Sequence, residues 1–193
     1  MTTKIDIDKN KKLQVKNYID VFTPNVTGGV NSILQNLFKY KDQLSLGNDI
    51  RIAVEYKKDV IFSEEYLEIL KKISDEVFFL PGVDKSKLQS LWTPNVRWIE
   101  TTADGFRGGE VIPNNYDGSD SSLDQVRQNV MRSGQLGRLI ADDFRSTIIY
   151  APLLDGPIDY GALTKLINEK VIDQYETEDI RIHVVDFAKK MGD

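Results

Sequence analysis

Apolar positions run along this chain in two rhythms, and the changes between them mark its elements. Val30, Ile33, Leu34, Leu37, Phe38 and Leu44 fall on one helical stripe, which predicts a helix from about 30 to 44, closed by Gly47-Asn48. Ile50, Ile52, Val54 and Tyr56 then alternate with Arg51, Ala53 and Glu55, the period of a strand with one buried face. Ser63 is placed to cap a second helix carrying Tyr66, Leu67, Leu70, Ile73 and Val77. Pro81-Gly82 breaks the chain before an extended stretch near 83 to 92, completing a β-α-β unit.

Val96 to Thr101 reads as a further strand. Ala103-Asp104-Gly105 and Gly108-Gly109 read as turns. Residues 113 to 122 are a loop or hinge, and Ser122 with Gln125 forms a capping box for a helix bearing Leu123, Val126 and Val130. Leu136 to Ala141 and Thr147 to Leu154 read as two strands joined around Asp142-Asp143-Phe144-Arg145. Asp159 caps a helix with Leu163, Leu166, Ile167, Val171 and Tyr175, and Ile180, Ile182 and Val184 open the last strand.

This order predicts an α+β fold of ferredoxin-like βαβ units, with helices packed on one face of a mostly antiparallel sheet. The domain reading is an N-terminal extension over 1–20, a first subdomain region over 21–112, a hinge over 113–122 and a second subdomain region over 123–193, the two subdomains being either separate or intertwined. Two tetrapeptides echo: Thr23-Pro24-Asn25-Val26 with Thr93-Pro94-Asn95-Val96, and Asp49-Ile50-Arg51-Ile52 with Asp179-Ile180-Arg181-Ile182. Their offsets differ, so no solenoid period fits, but the second echo points to two equivalent strands.

Composition narrows the function classes. The chain has 193 residues, 40% hydrophobic and 28% charged, as in a folded, water-soluble protein. A net charge of -5 disfavours a phosphate backbone as partner, so no nucleic acid is expected. The absence of cysteine removes disulfides, thiolate metal sites and a thiol nucleophile. The start Met1-Thr2-Thr3-Lys4 has no apolar signal segment, and the longest uncharged run, Val21 to Phe38, is too polar to span a membrane. The expectation is a cytosolic protein or a piece of something larger.

Candidate chemistry is sparse. His183 is the only histidine and lies on the strand face opposite Ile182 and Val184, as an ordinary sheet histidine or as the base of a small hydrolase. Asp117, Asp120 and Asp124 lack EF-hand spacing, and Asp142-Asp143 reads as a turn. Gly105-Phe106-Arg107-Gly108-Gly109 matches neither a P-loop nor a dinucleotide fingerprint. No cofactor and no catalytic group is expected. The rings of Phe22, Trp92, Trp98, Phe106 and Tyr116 stand in or beside irregular segments, where they either line a cleft for a greasy ligand or plug the core.

Several separated blocks, in order, resemble the first large periplasmic loop of RND-superfamily exporters, closest to the MMPL-like branch. They are Phe78-Phe79-Leu80-Pro81-Gly82-Val83-Asp84, Ser90-Leu91-Trp92-Thr93-Pro94-Asn95-Val96, Asp104-Gly105-Phe106-Arg107-Gly108-Gly109 and Val111-Ile112-Pro113. Tyr40 to Leu44, Leu123 to Val130, Gly137 to Asp142, Ile180 to His183 and Phe187-Ala188-Lys189 also match, so the likeness spans roughly residues 20 to 193. The resemblance implies ferredoxin-like porter subdomains on the periplasmic side of the bacterial inner membrane. They would work with membrane helices and a second periplasmic loop, moving hydrophobic or lipid cargo at the expense of the proton gradient. This chain carries no membrane helix, so the resemblance makes it an excised domain, with Met1 to Thr3 foreign to it and with homo-oligomers possible. Trp92, Trp98, Phe106 and Tyr116 are the expected cargo-binding residues. A free-standing ferredoxin-like binding or scaffold domain is the alternative.

Overall fold

The computed structural model describes residues 48–186. The expected helix over 30–44, the extension over 1–20 and the matching block at 187–189 lie outside them. Strand β1 (Asp49–Tyr56) is followed by helix α1 (Glu64–Phe78), a hairpin of β2 (Arg97–Thr102) and β3 (Gly105–Glu110), and helix α2 (Asp120–Arg132). Strand β4 (Ser146–Pro152), helix α3 (Tyr160–Ile167) and strand β5 (Ile180–Asp186) complete the described chain. Beyond Ile167 the helix widens into a π-turn over Asn168–Ile172 and closes with one α-turn over Asp173–Tyr175.

The structure is α+β. β4, β1 and β5 form an antiparallel sheet with β1 in the centre. Alternation in β1 explains its place: Ile50, Ile52, Val54 and Tyr56 are buried, while Arg51 is exposed. The register sets Ile52 opposite Ile149 of β4 and Val184 of β5, so one apolar face runs across all three strands. The echoed tetrapeptides open β1 and β5, which are neighbours in this sheet.

The stretch after Pro81-Gly82 runs antiparallel along the other edge of β4, but only in patches. Val83 bridges to Leu153 and Gln89 to Tyr150. Between them Asp84 turns the chain: its carboxylate accepts from the Ser86 amide and hydroxyl, and its carbonyl accepts from the Lys87 and Leu88 amides. A continuous strand is therefore interrupted after its first residues.

Helix α1 buries Tyr66, Leu67, Leu70, Ile73 and Val77, the stripe read from the sequence. Ser63 caps it, accepting from the Tyr66 amide at 3.2 Å. Tyr66 is the polar pin of the core: its hydroxyl donates to the Val54 carbonyl at 2.9 Å and lies 2.7 Å from the Thr147 hydroxyl. These bonds tie α1 to β1 and β4 at once, and burial pushes the Tyr66 hydroxyl far above the usual tyrosine range. A second buried pair, Ser74 and Ser90 at 2.7 Å, fixes α1 to the segment that follows it.

Three sequence expectations are corrected. Leu136 to Ala141 is not a strand. The Gln135 carbonyl accepts from the amides of Arg138, Leu139 and Ile140, curling the chain through Gly137 at φ 73°. The expected turn at Ala103-Asp104-Gly105 is present, with Ala103-Asp104 as the two-residue hairpin loop, but Gly108-Gly109 is not a turn: it lies inside strand β3. The cap of α2 is Ser119, three residues before the expected Ser122; its hydroxyl accepts from the Ser122 amide at 3.3 Å. Asp159 caps α3 as expected, accepting from the Ala162 amide at 2.9 Å.

Candidate functional site

The four rings expected to bind cargo occupy two different places. Trp92 and Tyr116 meet over α1. Trp92 donates its indole N–H to the Leu67 carbonyl at 2.8 Å. Its ring meets Tyr116 edge-on, centroids 5.6 Å apart, with the Lys71 ammonium 5.0 Å from its centre. The Tyr116 hydroxyl is buried with no hydrogen-bond partner. Burial pushes its pKa up, and the carboxylates of Glu64, Glu68 and Asp117 push it further.

Tyr116 belongs to the segment read as a hinge, and that segment is docked on α1. Its turn closes by a Tyr116 amide to Pro113 carbonyl bond at 2.9 Å. Gly118 follows at φ 80°, so close to Glu64 that an added Cβ would stand 2.5 Å from the carboxylate oxygen. Asp117 then accepts from the Ser119 amide and hydroxyl, positioning Ser119 as the cap of α2.

Trp98 and Phe106 sit on the hairpin, on opposite faces. The register pairs Trp98 with Gly109 and Thr101 with Phe106; Glu100 and Arg107 share the Trp98 face, while Ile99 and Gly108 share the Phe106 face. The Trp98 ring covers Gly109, where an added Cβ would lie 3.1 Å from the indole nitrogen. The Arg132 guanidinium stacks over the ring, 3.5 Å from its centre. Trp98 is thus half-buried and engaged by the protein itself. Phe106 is 82% exposed and Ile99 69%, so the other face of the hairpin carries an uncovered apolar patch towards its turn, with the Arg97–Glu110 ion pair at its base.

Sequence reasoning missed Ile99, Asn129 and Arg132. Ile99 falls in the strand read over Val96 to Thr101, and nothing in the sequence gives the hairpin's orientation. Asn129 is the legible one: it falls on the inward stripe of α2 with Ser122, Val126 and Val130, and a polar residue there needs partners. It finds them in the carbonyls of Val111 at 2.9 Å and Glu110 at 3.4 Å.

The remaining candidates are ordinary in structure. His183 lies on the open sheet face with its Nε2 3.1 Å from Glu55, both side chains well exposed. Asp143 accepts from the Arg145 amide at 3.0 Å, a turn contact. Among the described residues no group of three or more His, Asp or Glu side chains is placed to hold a metal ion. No helix among them is long and apolar enough to cross a membrane.

Compared with known proteins, the chain matches no family model, no curated protein and no solved structure.

Proposed function

We propose that this chain is a porter module of an RND-superfamily, MMPL-like exporter, a water-facing part on the periplasmic side of the inner membrane that handles hydrophobic or lipid cargo. The sequence blocks named above suggest it, and one structural observation supports it most. Counting the patchy stretch Val83 to Gln89 as a strand, the sheet order is that stretch, β4, β1, β5, all antiparallel. In chain order this is 2-3-1-4, with α1 joining the first pair and α3 the last. This order fits a βαββαβ, ferredoxin-like plan with the hairpin and α2 inserted between the second and third strands.

An inserted arm with a bare apolar face suits contact with cargo or with another part of a transporter. The face of Ile99 and Phe106 is the better cargo candidate, because Trp98 is stacked and Trp92 and Tyr116 are packed on α1. The driving energy would come from membrane helices outside these residues.

Topology in the native bacterium tests this reading. An antibody to residues 48–186 should find them in the inner-membrane fraction, and protease should cleave them once the outer membrane is permeabilised while the inner membrane stays closed. Recovery in the cytosol, protected from protease, would leave a free-standing binding or scaffold domain in its place.

A further inference from the structure

The β2–β3 hairpin has little means of holding itself in shape. It is two-stranded, three of the six residues of β3 are glycine, and most of its positions are exposed. Hairpins of this kind are marginal in water, and interior glycines weaken them further. Within the hairpin the ion pair of Arg97 with Glu110, at 3.9 Å, is long and open to solvent.

Support comes from the last turns of α2. Asn129 reaches the end of β3 through the carbonyls of Glu110 and Val111. The same Asn129 accepts from the Arg132 guanidinium at 2.6 Å, which orients that group. Arg132 in turn covers Trp98 of β2 and lies 3.6 Å from Glu100 of β2. Both strands are thus gripped by one helix turn, all from one side. The planar guanidinium fits this task because it stacks and hydrogen-bonds at once, which a lysine cannot do. The opposite side, with Ile99 and Phe106, is left bare.

We infer that α2 and the hairpin form a single lever, with the Gly109–Trp98–Arg132 stack as its lock, so that the Ile99/Phe106 face goes wherever α2 goes. Arg132 is the positioning residue of this device.

Amide hydrogen exchange on the intact chain tests it. In Arg132→Gln the amides of residues 97–110 should exchange roughly tenfold faster, the loss expected from one stacked and hydrogen-bonded cation. The paired amides of β1 and β4 should keep their wild-type rates. Arg132→Lys should fall between the two, and Phe106→Ser should leave the hairpin unchanged. If Arg132→Gln folds poorly, Arg132→Lys alone carries the comparison. Unchanged hairpin exchange in both Arg132 variants would overturn the lock. An equal rise in hairpin and sheet would overturn the lever, since the hairpin would then open only with the whole molecule.

Discussion

The guanidinium carbon of Arg132 sits over the ring of Trp98, 3.5 Å from its centre, and joins a helix to a hairpin. Replacing Arg132 by Ala, Trp98 by Ala and both together should reveal a coupling free energy of about 1 kcal/mol in urea unfolding. Strict additivity would show that the stacking contributes nothing.

Tyr66 carries the second claim about the core. Tyr66→Phe keeps the ring and removes the hydroxyl that joins Val54 and Thr147. It should cost about 1–2 kcal/mol, because a buried carbonyl and a buried hydroxyl lose their partner. Thr147→Val should cost less, since the Tyr66 hydroxyl keeps its bond to the Val54 carbonyl, and the two losses should not fully add, since both remove the Tyr66–Thr147 bond. Thermal or urea melts of the three variants decide this.

Gly118 couples a backbone requirement to a close approach. Gly118→Ala should destabilise by about 1–3 kcal/mol, from the positive φ and from the clash with Glu64. Glu64→Ala in the same chain should recover the steric part and leave the backbone part. Full recovery would show that the conformation itself costs nothing.

Asp84 and Asp117 each turn the chain by accepting from a serine two residues on, and each is held below the usual carboxylate pKa. For Asp84 the causes are the Ser86 hydroxyl and then Lys87; for Asp117 they are the Ser119 hydroxyl and then its amide. Depressed folded-state values mean that the stabilisation is complete above the unfolded pKa near 3.8 and is lost as pH falls through the folded values. The urea midpoint should therefore drop below about pH 4, and the double variant Asp84→Asn, Asp117→Asn should show a shallower drop. An unchanged acid limb in that variant would refute the assignment.

The parts of the fold that the sequence displayed are those where one periodicity decides the outcome. β1 shows a strict alternation, α1 a clean stripe, and Ser63 and Asp159 stand where a cap must stand. The parts it concealed depend on distant partners. Leu136 to Ala141 looks extended, yet the Gln135 carbonyl gathers its amides into a turn. The glycines of β3 look like a loop, yet they form a strand, in which the Trp98 ring across the ladder covers Gly109. The rings were legible as unusual, but their division between two places was not. Which face of a hairpin meets a helix is set by register, and a change of one residue in register would exchange Trp98 for Ile99.

The exporter reading stands or falls on transport by the whole gene product. The most direct measurement is the distribution of newly made envelope lipids between inner and outer membranes in cells lacking the gene, with and without a protonophore. The account predicts that lipid accumulates in the inner membrane and that the intact gene restores export in a protonophore-sensitive way. A gene lacking residues 48–186 should fail to do so. A lipid distribution identical in deleted and wild-type cells would contradict it.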